Sequence, residues 1–144
     1  MEDLALEKLS KESKENEYVM YIVVNHDLKM GKGKIAAQVA HSACRVIRFL
    51  ESLSTKPFYY RQWISNYEPK IVLKATKEQM KDIMKIFGRA RPLRPTHTDF
   101  EGIWCFHTID AGRTQIAPGS LTTLAFRPFQ RKEAPEILRS LKLL

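Results

Sequence analysis

The apolar residues of this chain fall into blocks of two different periods. Residues 18–24 are nearly all apolar, with Val and Ile prominent. An unbroken run of strand length reads as a central strand covered on both faces. Residues 25–32 break that run. From residue 33 to about residue 51 the period becomes helical. Ile35, Val39, Ala43, Val46, Ile47 and Leu50 make one stripe at three- and four-residue spacing, the core-facing side of an amphipathic helix. Lys34, Gln38, His41, Arg45 and Arg48 make a second stripe that is polar and basic.

The same alternation of periods continues. Residues 57–67 predict a short helix rich in aromatics, ended by Pro69. Residues 70–74 predict a strand. Thr76 is placed to cap a helix that runs to Phe87, with Gly88 as its stop. Residues 89–100 read as an irregular basic loop with two prolines. Residues 102–109 predict a third strand, 110–119 a polar Gly/Pro segment, 120–126 a fourth strand and 131–141 a last helix. Four strands separated by helices predict an α/β sheet with helices on both faces. Residues 1–16 are a charged, flexible arm in which Leu4, Leu6 and Leu9 support at most a short frayed helix. One compact domain then covers residues 17–144.

Composition narrows the class. A chain of 144 residues is one domain's worth, and 44% apolar content is enough for a real core. Mean hydropathy is −0.34 and 28% of residues are charged, which argues against a membrane protein. The longest apolar run is far short of a membrane helix. Met1-Glu2-Asp3 is acidic, unlike the start of a secretory signal. Two cysteines, Cys44 and Cys105, form no disulfide framework, so a reducing, cytoplasmic setting is expected. Adding His41, His97 or His107 to them gives no zinc-ligand spacing, and no metal or cofactor is expected.

The charge is uneven. Residues 1–17 hold six acids and three bases, which leaves 21 bases against 10 acids, or +11, in the rest of the chain. A domain that basic suits a polyanionic partner, with a merely solubilising surface as the rival reading. A second copy of the chain is also carried as a candidate partner.

Two glycine-bearing segments hold the candidate chemistry. The first is Asp27-Leu28-Lys29-Met30-Gly31-Lys32-Gly33-Lys34-Ile35-Ala36-Ala37-Gln38. It follows a strand and opens a helix, where bare backbone N–H groups and the helix dipole favour phosphate. Lys29, Lys32 and Lys34 add full charges. The pattern Gly31-x-Gly33-x-x-Ala36 formally matches a dinucleotide fingerprint, but six residues separate it from the strand and the acid that follows, Glu51, ends a helix. A P-loop is excluded, because no Gly-Lys-Ser/Thr occurs. The second segment is Asp110-Ala111-Gly112-Arg113-Thr114-Gln115-Ile116-Ala117-Pro118-Gly119-Ser120. It sets a carboxylate at a strand end, where α/β sheets bind ligands. Asp110 there either orients a water or caps its own loop in an Asx turn. Ser120 lacks the Gly-x-Ser-x-Gly elbow of a serine hydrolase.

Together with Val39-Ala40-His41, residues 70–74 and the terminal Leu141-Lys142-Leu143-Leu144, these two motifs closely resemble the type 2 peptidyl-tRNA hydrolases of archaea and eukaryotes, over about residues 18–144. The resemblance implies a mixed four-stranded sheet with helices on both sides. It implies hydrolysis of the ester between a peptide and tRNA, recycling the tRNA, without metal or cofactor. By position it puts functional residues at Lys34, Asp110 and Thr114, with Ser120 and Thr122 as hydroxyls of the same motif. Gln38 and His41 follow Lys34 on the helix. His41 is read either as catalytic or as buried against the sheet. Lys29, Lys32, Arg113 and Gln115 are expected to meet substrate, as are Arg89 and Arg91 in a basic cluster with Lys85 and Arg94. The chain departs from the family pattern at Asn25-His26, Ile109 and Ala125-Phe126-Arg127. A module on the same fold that binds RNA or protein without turnover is the alternative, and a dinucleotide oxidoreductase ranks below it.

Overall fold

A computed structural model describes residues 2–92, 94–112 and 116–144, apart from the side chains of His97 and Asp99. Strand β1 (Tyr18–Asn25) is the predicted central strand, and all its residues but Tyr18 and Tyr21 are buried. A 3-10 turn (His26–Leu28) leads to helix α2 (Lys32–Ser52) and then α3 (Phe58–Ser65). Strand β2 (Lys70–Ala75) pairs parallel with β1, so α2 and α3 form the crossover that a parallel pair requires. Helix α4 (Lys77–Phe87) follows at once. Thr76 and Gln79 form a reciprocal capping box at its start. Strands β3 (Cys105–Ile109) and β4 (Leu121–Phe126) form an antiparallel pair, and β4 runs antiparallel to β1.

The sheet order is β3-β4-β1-β2-β6, with β5 pairing to β1. Six strands stand among the described residues where four are predicted. The two extra ones, β5 (Phe129–Gln130) and β6 (Lys142–Leu143), are two residues long. A pair of residues has no alternation to read in a sequence. Strand β6 adds antiparallel to the outer edge of β2, pairing Leu73 with Leu143 and Lys74 with Lys142.

The predicted helix over 131–141 is also broken. A 3-10 turn (Arg131–Glu133) gives way to Ala134 in an extended conformation, and α5 is only Glu136–Arg139. Pro135 is the cause, since proline cannot continue a helix and pushes the residue before it out of the helical region. The first helix, α1 (Glu2–Glu15), is longer than the short frayed helix expected in the arm, and none of its residues is buried. Its run of Ala, Leu, Glu and Lys favours helix. Acids in its first turn and Lys14 in its last suit the helix dipole.

Two apolar layers cover the sheet. Ala43, Val46, Phe49 and Leu50 of α2, with Tyr60 and Trp63 of α3, pack on Met20, Ile22, Trp104, Phe106 and Ala125. On the other face, Met80 and Ile83 of α4 and Leu138 of α5 pack on Val23, Leu73, Cys105, Leu124 and Phe126. Helices on both faces of a mixed sheet are therefore observed. Burial pushes the Cys105 thiol up to about 12, while Cys44 is exposed and both are free.

Phe49 is fully buried and meets Trp104 and Phe106 edge to face, at centroid distances of 5.3 and 5.4 Å. Phe49→Ala should destabilise the fold by about 3–5 kcal/mol, measured by equilibrium denaturation. A loss below about 1 kcal/mol would contradict this packing.

Candidate active site

The chain topology brings three strand ends to one edge of the sheet. Strands β1, β2 and β3 all point the same way, so Asn25, Ala75 and Ile109 end together, beside the start of β4. That edge is where open α/β sheets take ligands. The described residues of the two glycine-bearing segments lie on it.

Asp110 is the first residue beyond β3. It is buried, with its side chain only 2% exposed. Its backbone closes the loop, because Asp110 N donates to the Ser120 carbonyl at 2.9 Å and Gly119 N donates to the Asp110 carbonyl at 3.1 Å. The carboxylate has two named partners. Oδ2 accepts from Gly112 N at 3.0 Å, and Oδ1 accepts from Lys34 Nζ in an ion pair. The Asx-turn reading of Asp110 is observed, and the same carboxylate holds Lys34. Gly112 has φ +81, and a Cβ there would come within 3.1 Å of Pro118, so the turn needs glycine.

Lys34 reaches Asp110 from the first turn of α2, leaving its own side chain 17% exposed. Gly31 and Gly33 in this segment have no positive φ, and a Cβ on either would meet nothing within 4 Å. They are not needed to turn the chain. They offer no side chain to the N-terminal N–H groups of α2, and among the described residues no side chain caps that end.

Behind Lys34 a polar row continues along α2 at four-residue spacing, the distance that stacks side chains on one helix face. Thr122 Oγ1 donates to Gln38 Oε1 at 2.9 Å and stands 3.1 Å from the Thr108 carbonyl, the other acceptor within reach of its one proton. Thr123 Oγ1 donates to Ser42 Oγ at 2.9 Å, and Ser42 Oγ lies 3.2 Å from Thr108 Oγ1. Arg45 donates to the His107 carbonyl. Two consecutive threonines reach the same helix because the β3–β4 register shifts here. Thr108 opposes Thr123 and Ile109 opposes Leu121, which leaves Thr122 as the extra residue of a bulge. Thr108, Thr122, Thr123 and Ser42 are all buried. Farther down β3, burial and the Arg45 charge hold the His107 imidazole below its ordinary value.

Of the predicted residues, the structure brings Lys34, Asp110, Gln38 and Thr122 together. Lys29 and Lys32 are exposed at the mouth, at the end of the 3-10 turn and the start of α2. The Ser120 hydroxyl donates to the Ala117 carbonyl at 2.8 Å, inside its own loop. His41 is exposed on α2, so its reading as a residue buried against the sheet is corrected. Ser42, the next residue, takes that place. Arg113, Thr114 and Gln115 lie outside the described residues. Arg89 and Arg91 are exposed, but Arg89 N bonds the Cys105 carbonyl at the far end of β3. That is roughly 17 Å of extended chain from Asp110. Sequence reasoning missed Ser42, Thr108 and Thr123. Counting four residues on from Gln38 finds Ser42, whereas nothing in the sequence announces the bulge. Among the described residues, no group of three or more His, Cys, Asp or Glu side chains gathers to hold a metal, and no helix is long and apolar enough to cross a membrane.

The family model for "Peptidyl-tRNA hydrolase PTH2" matches residues 18–144. The chain belongs to the peptidyl-tRNA hydrolase PTH2 family. A peptidyl-tRNA hydrolase of Methanococcus maripaludis is 35% identical over 127 residues, covering 88% of this chain and 99% of the relative. One from Methanocaldococcus jannaschii is 34% identical, covering 87% and 98%. The human mitochondrial peptidyl-tRNA hydrolase 2 is 37% identical, covering 88% of this chain and 64% of that protein. The resemblance read from the two motifs is therefore correct. The matched region starts at the first residue of β1 and holds Lys34, Asp110 and the whole polar row.

Thr122→Val keeps the shape but removes the hydroxyl between Gln38 and Thr108. It should cost about 1–3 kcal/mol of stability, because buried polar groups lose their partner, while Thr122→Ser should recover most of it. Denaturant unfolding of the two variants checks this. Equal stability of Thr122→Val and the parent would remove Thr122 from the row.

Proposed function

We propose that this chain hydrolyses the ester that joins a peptide to the terminal ribose of tRNA, releasing both. The observation that carries the reading is the Lys34–Asp110 pair at the sheet edge, in a chain of the PTH2 family. Ester hydrolysis needs a positioned water, a proton acceptor and a counter-charge for the tetrahedral oxyanion. A carboxylate is an acceptor-only group, so a water that donates to Asp110 is oriented by it and can pass it a proton. Lys34 carries three N–H donors. One holds Asp110, and another can meet the oxyanion as negative charge develops on the former carbonyl oxygen. The proton taken from water then returns to the departing ribose oxygen.

The remaining parts fit a polyanionic substrate. Lys29 and Lys32 flank the uncapped start of α2, where phosphate is favoured. Gln38 and Thr122 fix the angle of α2 against the strands. Thr114, Arg113 and Gln115 complete the reading at the level of the motif. Ser120 acts by shaping the loop that carries Asp110. The reaction so drawn uses protein groups and water alone. Free Cys44 and Cys105 support a reducing compartment, and the cytoplasm is proposed.

Asp110→Asn should slow release of tRNA from an N-blocked aminoacyl-tRNA by roughly a hundredfold or more, with tRNA affinity nearly retained. Single-turnover kinetics and a tRNA binding titration make the comparison. A parent that binds tRNA but frees none would favour a binding module, and equal rates in parent and variant would remove Asp110 from the chemistry.

A further inference from the structure

The end of the sheet opposite the Lys34–Asp110 pair carries a second feature, on the face covered by α2 and α3. Strand β4 ends there beside the start of β3, and Arg127 N bonds the Trp104 carbonyl at 3.1 Å. Arg127 is therefore a whole strand length from Asp110. Ala125 packs in the α2–α3 layer, so alternation sends the Arg127 side chain to the same face. It is only 8% exposed. Its guanidinium lies over the Tyr59 ring, 4.0 Å from the centroid. Nε donates to the Gly102 carbonyl and Nη1 to the Pro128 carbonyl, both at 2.6 Å. Among the described residues, Nη2 has no partner and no carboxylate comes within ion-pair distance of Arg127. A buried charge without a counter-charge is costly.

Tyr59 and Gly102, which hold this guanidinium, line a cavity of about 560 Å³ together with Arg127 itself. That volume is in the range of small-ligand sites. The start of α3 lines it too. Pro57 gives α3 no side-chain cap. Tyr60 N and Arg61 N bond back to the Pro57 carbonyl, which leaves Phe58 N and Tyr59 N as the open donors of the first turn. An uncapped helix start and a fixed guanidinium are both donors to an oxyanion. Phe58 adds an aromatic wall. It is 59% exposed, and Tyr18 meets it edge to face at 6.3 Å. The Arg61 guanidinium stands 5.9 Å from the same ring, a second cation at this wall. Lys56 also lines the cavity, but its ammonium turns to the Glu51 and Leu53 carbonyls. Glu101 is the one acid in the lining.

We propose that this cavity binds a free mononucleotide, at a site separate from the one that hydrolyses the ester. The phosphate lies between Arg127 Nη2 and the first N–H groups of α3, and the base stacks on Phe58. The phosphate supplies the counter-charge that the buried guanidinium lacks. The base covers an aromatic ring otherwise left in water. Arg127 is one of the positions at which this chain departs from the family pattern, so the site goes beyond the family's reaction and does not rest on it.

The test is calorimetric titration of the full chain with AMP. Phe58→Ala removes one base stack and should weaken binding about tenfold. Arg127→Lys keeps the charge but loses the planar fork, and should weaken binding at least as much. Thermal unfolding without ligand checks that both variants are folded. Phe58→Ala, at an exposed position, decides the matter should Arg127→Lys fail to fold. Adenosine and ribose 5-phosphate each carry half of the ligand, and each should bind about tenfold more weakly than AMP or worse. Lys34→Met, at the other end of the sheet, should bind AMP as the parent does. Saturating deacylated tRNA should leave AMP binding unchanged. The site is overturned if AMP does not bind at millimolar concentration, or if folded Phe58→Ala binds it like the parent. It is overturned too if Lys34→Met loses as much as Phe58→Ala, which would put AMP at the ester site. Loss of AMP binding in the presence of tRNA would overturn the free nucleotide and give the cavity to RNA.

Discussion

A carboxylate taken almost wholly out of water must be met by an opposite charge or by donors. Asp110 meets that constraint with both, a lysine ammonium on one oxygen and a backbone N–H on the other. An isolated buried carboxylate is too costly to keep. Lys34 can reach it only if the first turn of α2 sits beside the end of β3. The position of one helix end, the conformation of the turn at Gly112 and the closure of the loop onto Ser120 are therefore tied to a single ion pair.

The rest of α2 is aligned by the same demand for partners. Behind Lys34, polar side chains three and four residues apart face the sheet, and Gln38, Ser42 and Arg45 each find a hydroxyl or carbonyl on β3 or β4. The bulge at Thr122 makes this possible by turning two successive threonines to one side. The apolar stripe of the same helix, from Ala43 to Leu50, packs farther along the sheet. Val39 also packs against this layer, so α2 gives one stripe to the polar row and a neighbouring stripe to the core. An uncapped helix start, the Lys34–Asp110 ion pair and a hydrogen-bonded support occur within four turns of one helix.

Much of this could be read from the chain. The unbroken apolar run of β1, the stripe of α2 and the cap of α4 each rest on a strong local signal, and each appears in the structure. That Lys34 and Asp110 belong to one site is legible only through the family resemblance, not from spacing, since 76 residues separate them. Short strands β5 and β6 escaped because two residues carry no period. Pro135 splits the helix that the spacing over 131–141 predicts. His41 and Ser42 exchanged places because a stripe drawn from residue type favours charge, whereas the helix buries the small hydroxyl. The expectation that Arg89 meets substrate rests on charge alone. The order of strand ends sets Arg89 at the opposite end of β3.

The central claim is that Lys34 and Asp110 act as one unit. A double-mutant cycle on the rate of peptidyl-tRNA hydrolysis tests it, using Lys34→Met, Asp110→Asn and the double variant. Groups that work as a unit are strongly non-additive. The account predicts that each single variant loses nearly as much rate as the double. Losses that simply multiply, so that the double variant falls by the product of the two single effects, would contradict it.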